Sequence, residues 1–252
     1  MINAASALGE GIRMVLRPGA RRYVYIPLLI NLLLYIAAVW WLVNSFEGWI
    51  DYWMAQVPSW LAWLSWLIWP ILVVAMALAV IFTFTMVANA IASPFYGFLA
   101  ERIEQRLSNA PVSDERSLWQ QALDGIRREL HKLGWMLPRM LVLFVLGFIP
   151  VINLAAPVLW ALFSAWSLAI QYLDYPMDLH QVSFTRMREL LRRRWWTTLT
   201  FGGVVAATVW IPLVNLLIMP GAVAAGVLMW RQHYRTLALP EGNEAAARDR
   251  IR

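Results

Sequence analysis

Cysteine is absent from the 252 residues, so neither a disulfide framework nor a thiolate metal or redox site is available. Charge is scarce: 14% of residues are Asp, Glu, Lys or Arg, against about 25% in an average soluble domain. The acidic residues stay out of the longest apolar stretches, which excludes a carboxylate proton relay within them. Lysine is nearly missing; Lys132 is the single lysine among 21 basic residues, and the others are arginine. No Gly-x-x-x-x-Gly-Lys loop, His-Glu-x-x-His pair or nucleophile elbow occurs, so an ATPase, a zinc hydrolase and a serine hydrolase lose their sequence basis. His131, His180 and His233 lie in polar segments without metal-ligand spacing and read as solvated, with pH sensing as the other reading. The expectation is a protein that is not an enzyme and holds no metal or cofactor.

Apolar sequence fills the space that charge leaves. The chain is 61% hydrophobic, and the stretches 23–46, 57–100, 140–173 and 195–230 contain no charged residue. A helix that crosses a bilayer needs roughly 20 apolar residues. Of 16 tryptophans, eight fall in residues 40–69: Trp40, Trp41, Trp49, Trp53, Trp60, Trp63, Trp66 and Trp69. Tryptophan favours the headgroup layer, so this cluster marks one membrane surface; aromatic core packing is the competing reading. Glu10 and Arg13 interrupt the N-terminal residues before the first strong run at Tyr23, so a signal peptide is not expected. The formal charge is +6. The arginines flank the apolar runs, which points to topology rather than to a nucleic-acid partner.

Residues 3–16 place Ala4, Ala5, Leu8, Ile12, Val15 and Leu16 at helical spacing and read as a short amphipathic interfacial helix. Spanning helices are expected at about 23–46 and 69–100, joined by a connection that carries Glu47 and Asp51 but no basic residue. Arg13, Arg17, Arg21 and Arg22 precede the first span and an arginine-rich segment follows the second, so both those sides face the cytoplasm. Within that segment, residues 114–134 read as a cytoplasmic amphipathic helix with Leu118, Trp119, Ala122, Leu123, Ile126, Leu130 and Leu133 as its apolar stripe.

Two later segments share a broken pattern: Ile149-Pro150-x-x-Asn153 and Ile211-Pro212-x-x-Asn215. Proline removes a donor and clashes with the preceding turn. The apolar arms beside these breaks are short: residues 140–149 make about 15 Å of helix, and 197–211 and 216–230 about 22 Å each. Arms of that length suit re-entrant hairpins at about 138–173 and 195–232, with Pro150, Asn153, Pro212 and Asn215 at their turns. One tilted, kinked span per stretch is the rival reading, favoured by the length of 155–173. The whole is expected to be one all-α membrane domain, 1–237, with a flexible charged tail at 238–252.

Pro18-Gly19-Ala20-Arg21-Arg22 is the first candidate site. A glycine turn before a helix start offers N–H groups and dipole charge, and paired guanidinium forks match tetrahedral oxyanions such as sulfate or phosphate. Setting topology, or holding lipid phosphates, is the alternative role for these arginines. Asn31, in Ile26-Pro27-Leu28-Leu29-Ile30-Asn31, and Asn89 are candidates to line a polar path, whereas Asn153 and Asn215 read as structural amides. Glu101 and Glu104, close to Arg102 and Arg106, read as an ion-pair network or as a pore-mouth or gating pair.

Several landmarks coincide in order and spacing: Arg17-Pro-Gly-Ala-Arg-Arg22, Ile26-Pro-Leu-Leu-Ile-Asn31, Ser93-Pro-Phe-Tyr-Gly-Phe-Leu-Ala-Glu101, Leu173-Asp-Tyr-Pro-Met177, Phe201-Gly202 and the late Ile211-Pro-x-x-Asn with Pro220. Together, over about residues 3–237, they resemble the bacterial CysZ family of sulfate permeases. The resemblance implies channel-like sulfate uptake across the bacterial inner membrane by a multi-pass protein, supplying cysteine biosynthesis. It implies two spanning helices with two pairs of hemi-penetrating helices, and homo-oligomers with protomers inserted in both orientations. The family's Gly-Leu-Arg sulfate motif falls on Gly19, Ala20 and Arg21, with Arg22 adjacent; Ala20 stands where leucine is usual. A membrane scaffold or lipid-binding protein without transport is the alternative function, with membrane lipids as partners in either case.

Overall fold

The computed structural model describes residues 3–56, 58, 63, 65–108, 117–209 and 212–238, and among them the ordered backbone is helical with no strand. The chain forms two compact units, one of residues 22–95 and one of residues 1–21 with 96–252. The charged tail lies, from residue 239 on, outside the described residues.

In the unit of residues 22–95, helix α2 spans Arg22–Ala55 and helix α3 begins at Ser65, running on to Ser108 in the other unit. Arg22–Ser45 is long and apolar enough to cross a membrane. α2 continues past Glu47 and Asp51, so the turn after it falls later than the acidic residues suggest. α3 has 44 residues, about 66 Å at 1.5 Å per residue, and runs unbroken through Pro70 and Pro94. Its described apolar run is the shorter Trp69–Val80. The tryptophans sit outside the core: Trp40, Trp41, Trp49, Trp53, Trp63, Trp66 and Trp69 are all exposed. Trp60 lies outside the described residues. That exposure disfavours the core-packing reading, because rings with a wet edge belong where lipid meets water.

The larger unit begins with α1, Ala4–Leu16, whose cap is the Asn3 side chain accepting from the Ser6 N–H at 2.8 Å. Ala4, Ala7, Leu8, Gly11 and Val15 form its buried face. That face packs on α8, Pro212–Met229. A methyl group on Gly11 would meet the Gly221 carbonyl oxygen, so the two backbones touch as small residues allow.

α4 spans Leu118–Leu146, with a reciprocal capping box between Ser117 and Gln120. It runs unbroken through Pro138, so the amphipathic segment and the apolar arm after it are one helix. α5 spans Ala156–Leu179, α6 Phe184–Arg193 and α7 Trp195–Val209. After α8 a π-turn at Trp230–Tyr234 leads into α9, Arg235–Ala238. The core is built from α5, α7 and α8, with Ile170, Leu173, Met177, Phe201, Trp230 and Tyr234 fully enclosed. α5 and α7 meet at Gly202, where an added methyl would land on the Ala165 carbonyl. Gly202→Val is expected to cost about 3 kcal/mol through overpacking, read as a lowered melting temperature in detergent.

The first broken repeat forms a self-satisfied turn. Gly147 donates to the Leu143 and Phe144 carbonyls, Phe148 to Val145 and Ile149 to Leu146, and the Asn153 N–H reaches the Ile149 carbonyl at 3.0 Å. The Asn153 backbone thus helps close the turn, while its side chain is exposed. A short 3-10 turn, Ile152–Ala155, then leads into α5. With that turn, Ile152–Leu179 is a second helix long and apolar enough to cross a membrane. At the second repeat, residues 210–211 and the side chains of Pro212 and Asn215 lie outside the described residues. Pro212 is the first residue of α8, a position where its missing donor costs nothing.

Candidate functional site

Gly19 sits in the Arg17–Arg21 turn with φ +88°, in the left-handed region that favours glycine. The Ala20 and Arg21 amides donate to the Arg17 carbonyl at 3.2 and 3.4 Å, so they are occupied in closing the turn. Ala20 is fully buried, which gives a physical reason for a small side chain at that position. The turn is held from α3: the Arg106 guanidinium donates to the Pro18 carbonyl. A Cβ on Gly19 would lie 2.9 Å from that guanidinium and 3.9 Å from the one on Arg102. Arg21 is exposed, and no carboxylate pairs with it among the described residues. The Arg102 Nε is buried without a hydrogen-bond partner there. Arg17 and Arg13 lean instead on Glu10, at 3.8 and 3.6 Å. Sequence reading placed Arg21 here but missed Arg102 and Arg106 as neighbours of the turn. The result is a positively charged turn whose free donors are side chains more than backbone.

Arg22 opens α2; it donates to the Tyr23 hydroxyl at 2.8 Å and lies over that ring. Asn31 lies within α2, and its buried Oδ1 accepts no hydrogen bond among the described residues. Asn89 is on α3, with its side chain outside the described residues.

Glu104 is 1% exposed. Its Oε1 accepts from Arg231 at 3.0 Å and lies 3.5 Å from the His180 Nε2. The π-turn carries Arg231, and the His180 ring stacks on Trp230. Burial alone would raise the Glu104 carboxyl; the His180 ring and the Arg231 and Arg235 charges outweigh it and hold the group below its ordinary 4.5. Glu101 is separate, accepting from Gln105 at 2.9 Å. His180 is half-buried and His233 buried, so the solvated reading of these two histidines is corrected: both are enclosed by the end of α5 and the π-turn. A depressed carboxyl stabilises the fold above its ordinary value, and that contribution is lost as pH falls through the folded value. Glu104→Gln is expected to cost about 2 kcal/mol at neutral pH. It is also expected to flatten the fall in melting temperature that wild type shows below about pH 4.5, both read from melts in detergent.

A third charged cluster joins α4 to α5. Asp174 accepts from Arg128 Nε at 2.6 Å and from Lys132 at 3.1 Å. Arg128 also reaches Asp178 at 3.1 Å and the Val182 carbonyl at 2.8 Å. These charges are the face of α4 that is covered. The stripe Leu123, Ile126, Leu130, Leu133 and Leu137 is exposed.

All-helical architecture, two long apolar helices and an outward-facing tryptophan set define a helical membrane protein, here with an arginine-rich turn suited to an anion. The family described as "Sulfate transporter CysZ/Etoposide-induced protein 2.4" matches residues 7–220. Sulfate transporter CysZ of Pseudomonas syringae pv. tomato is 45% identical over 237 residues, covering 92% of this chain and 93% of its own length. Proteins of the same name from two strains of Pseudomonas fluorescens are 43% and 45% identical, covering 91% and 88% of this chain and 93% and 89% of their own lengths. The chain belongs to this family.

Proposed function

We propose that the protein transports sulfate. Family membership over nearly the whole chain carries this reading and does not favour the scaffold or lipid-binding alternative. Sulfate docks on Arg21 and Arg22, with Gly19 and Ala20 shaping the turn, and then passes near Asn31 and Asn89, with Glu101 at the mouth. Glu104 acts as a gating residue only when its buried contacts with Arg231 and His180 open. Uptake is channel-like, across the bacterial inner membrane, and feeds cysteine biosynthesis.

The membrane arrangement is part of the same proposal: a multi-pass protein with residues 23–46 of α2 and 69–100 of α3 as spans, α1 and α4 up to residue 134 at the interface, and re-entrant pairs at 138–173 and 195–232, built from α4–α5 and α7–α8. For α4–α5 the support is an uneven helix pair. Its tip is open and apolar, with Val151 81% and Leu154 86% exposed, and its backbone groups bond to one another as lipid requires. Its base, at Arg128, Lys132 and Asp174, is charged and buried in protein. That base favours the re-entrant reading, although α5 is long enough to cross. The open leucine stripe of α4 supports both an interfacial position and a homo-oligomer. Protomers of either orientation belong to the proposal.

Two negative charges entering against an inside-negative potential cost about 4.6 kcal/mol per 100 mV, twice the single-charge value. A channel-like route therefore predicts labelled-sulfate flux into proteoliposomes that is saturable and falls steeply as the interior is made negative. Flux absent from well-reconstituted protein, or insensitive to an imposed potential, would overturn the function or the channel-like mechanism respectively.

A further inference from the structure

α4 packs on α6 and α6 on α7, and the face they form carries cations that no carboxylate pairs among the described residues. Arg139 lies with its guanidinium 3.9 Å from the centre of the Trp135 ring and donates to the Trp135 carbonyl at 2.6 Å. On α6, Arg188 lies over Phe184. α4 and α6 pack together, which brings the Arg188 and Arg192 charges to act on Arg139. Among the described residues no carboxylate pairs with Arg139, Arg188 or Arg192, and Glu189 is taken by Arg186 at 3.0 Å. Two buried donors there, the Arg188 Nε and the Trp135 Nε1, have no hydrogen-bond partner among the described residues. Like charges held together without an anion are unfavourable, and a desolvated donor left unbonded adds to the cost.

The surroundings select the kind of anion. Beyond Arg139, α4 exposes Leu141, Val142, Phe144 and Val145. At the start of α7, Trp195 and Trp196 are exposed and stacked, with ring centres 3.9 Å apart. A soluble anion would satisfy the arginines but leave this apolar surface uncovered. A ligand with an anionic head and hydrocarbon tails matches both parts, and basic pockets flanked by tryptophan at a membrane surface bind such headgroups. We infer that Arg139, Arg188 and Arg192 form a binding site for one anionic phospholipid, its phosphate on the guanidinium groups and its chains along the exposed arm of α4. The inference rests on the membrane reading and is separate from the sulfate site.

The test is native mass spectrometry of the full chain in detergent, titrated with phosphatidylglycerol or phosphatidylcholine. Wild type is expected to retain phosphatidylglycerol selectively. Arg192→Gln should weaken retention about fivefold, and Arg139→Gln, Arg188→Gln and Arg192→Gln combined about a hundredfold. Arg192 is exposed and unpaired among the described residues, so the single variant tests the site even where the triple variant fails to fold. Equal retention of phosphatidylcholine by wild type, unchanged retention in Arg192→Gln, or displacement of phosphatidylglycerol by inorganic phosphate at equal concentration would each overturn the site. Sulfate binding measured on the same samples should not move, which keeps this result distinguishable from a failure of the transport reading.

Discussion

Replacing Arg21 and Arg22 together with alanine is expected to weaken sulfate binding by at least about a hundredfold and to bring uptake by reconstituted protein to background. Hydrogen bonds to a charged partner contribute about 1.5–3 kcal/mol each, and tenfold in affinity is 1.4 kcal/mol. The loss should be specific because Arg21 is exposed and makes no ion pair among the described residues, so its removal costs the fold little. The turn survives the substitution: Gly19 keeps its left-handed conformation and Arg106 still donates to the Pro18 carbonyl. Arg13→Ala is the control, since that arginine is exposed and among the described residues pairs only with Glu10, at 3.6 Å. Sulfate flux equal to wild type in a folded double variant would remove these arginines from the site.

Local pattern made much of this molecule legible. The uncharged stretch at 23–46 and the break at Ile149-Pro150 each follow from residues within a turn or two of one another. The buried face of α1, by contrast, keeps only Ala4, Leu8 and Val15 of the expected set, with Ala5 and Leu16 exposed and Ala7 and Gly11 buried instead. What stayed hidden depends on distant pairing. Glu104 and Arg231 are 127 positions apart, and nothing in either neighbourhood specifies the other. Arg106 reaches Pro18 across 88 positions, so its place beside the Gly19 turn had no local signal. The π-turn at Trp230–Tyr234 has no residue signature in advance of the structure. α4 is the instructive case. Its helical period separates a charged face from a leucine face, and the usual inference covers the leucines. Here the charged face is the covered one, because Asp174 on α5 supplies the counter-charge. Periodicity defines faces; the neighbour decides which one is buried.

That inversion makes Asp174 the residue whose loss should harm the fold most. Asp174→Asn leaves Arg128 and Lys132 inside the protein with their shared counter-charge gone. Breaking a buried pair from one side costs about 3–5 kcal/mol where nothing else compensates. With Asp178 still on Arg128 and Glu129 still on Lys132, the low end, about 3 kcal/mol, is expected. In a chain of this size that lowers the melting temperature by about 10 °C. Burial alone would lower the Lys132 ammonium; Asp174 and Glu129 outweigh it and hold the group above the usual lysine value. The sign follows: the contribution is complete below the ordinary 10.5 and is lost only as pH rises past it, so the effect of Asp174→Asn should be full at neutral pH. Replacing all three charges with apolar side chains, as Arg128→Met, Lys132→Met and Asp174→Leu, should recover most of the loss, because an apolar contact has no desolvation to offset. A melt of Asp174→Asn matching wild type would show that the cluster is not what holds α4 to α5. Loss in the single variant with recovery in the triple would establish the charged clip as the base of the helix pair, leaving the apolar tip at Val151 and Leu154 free to meet lipid.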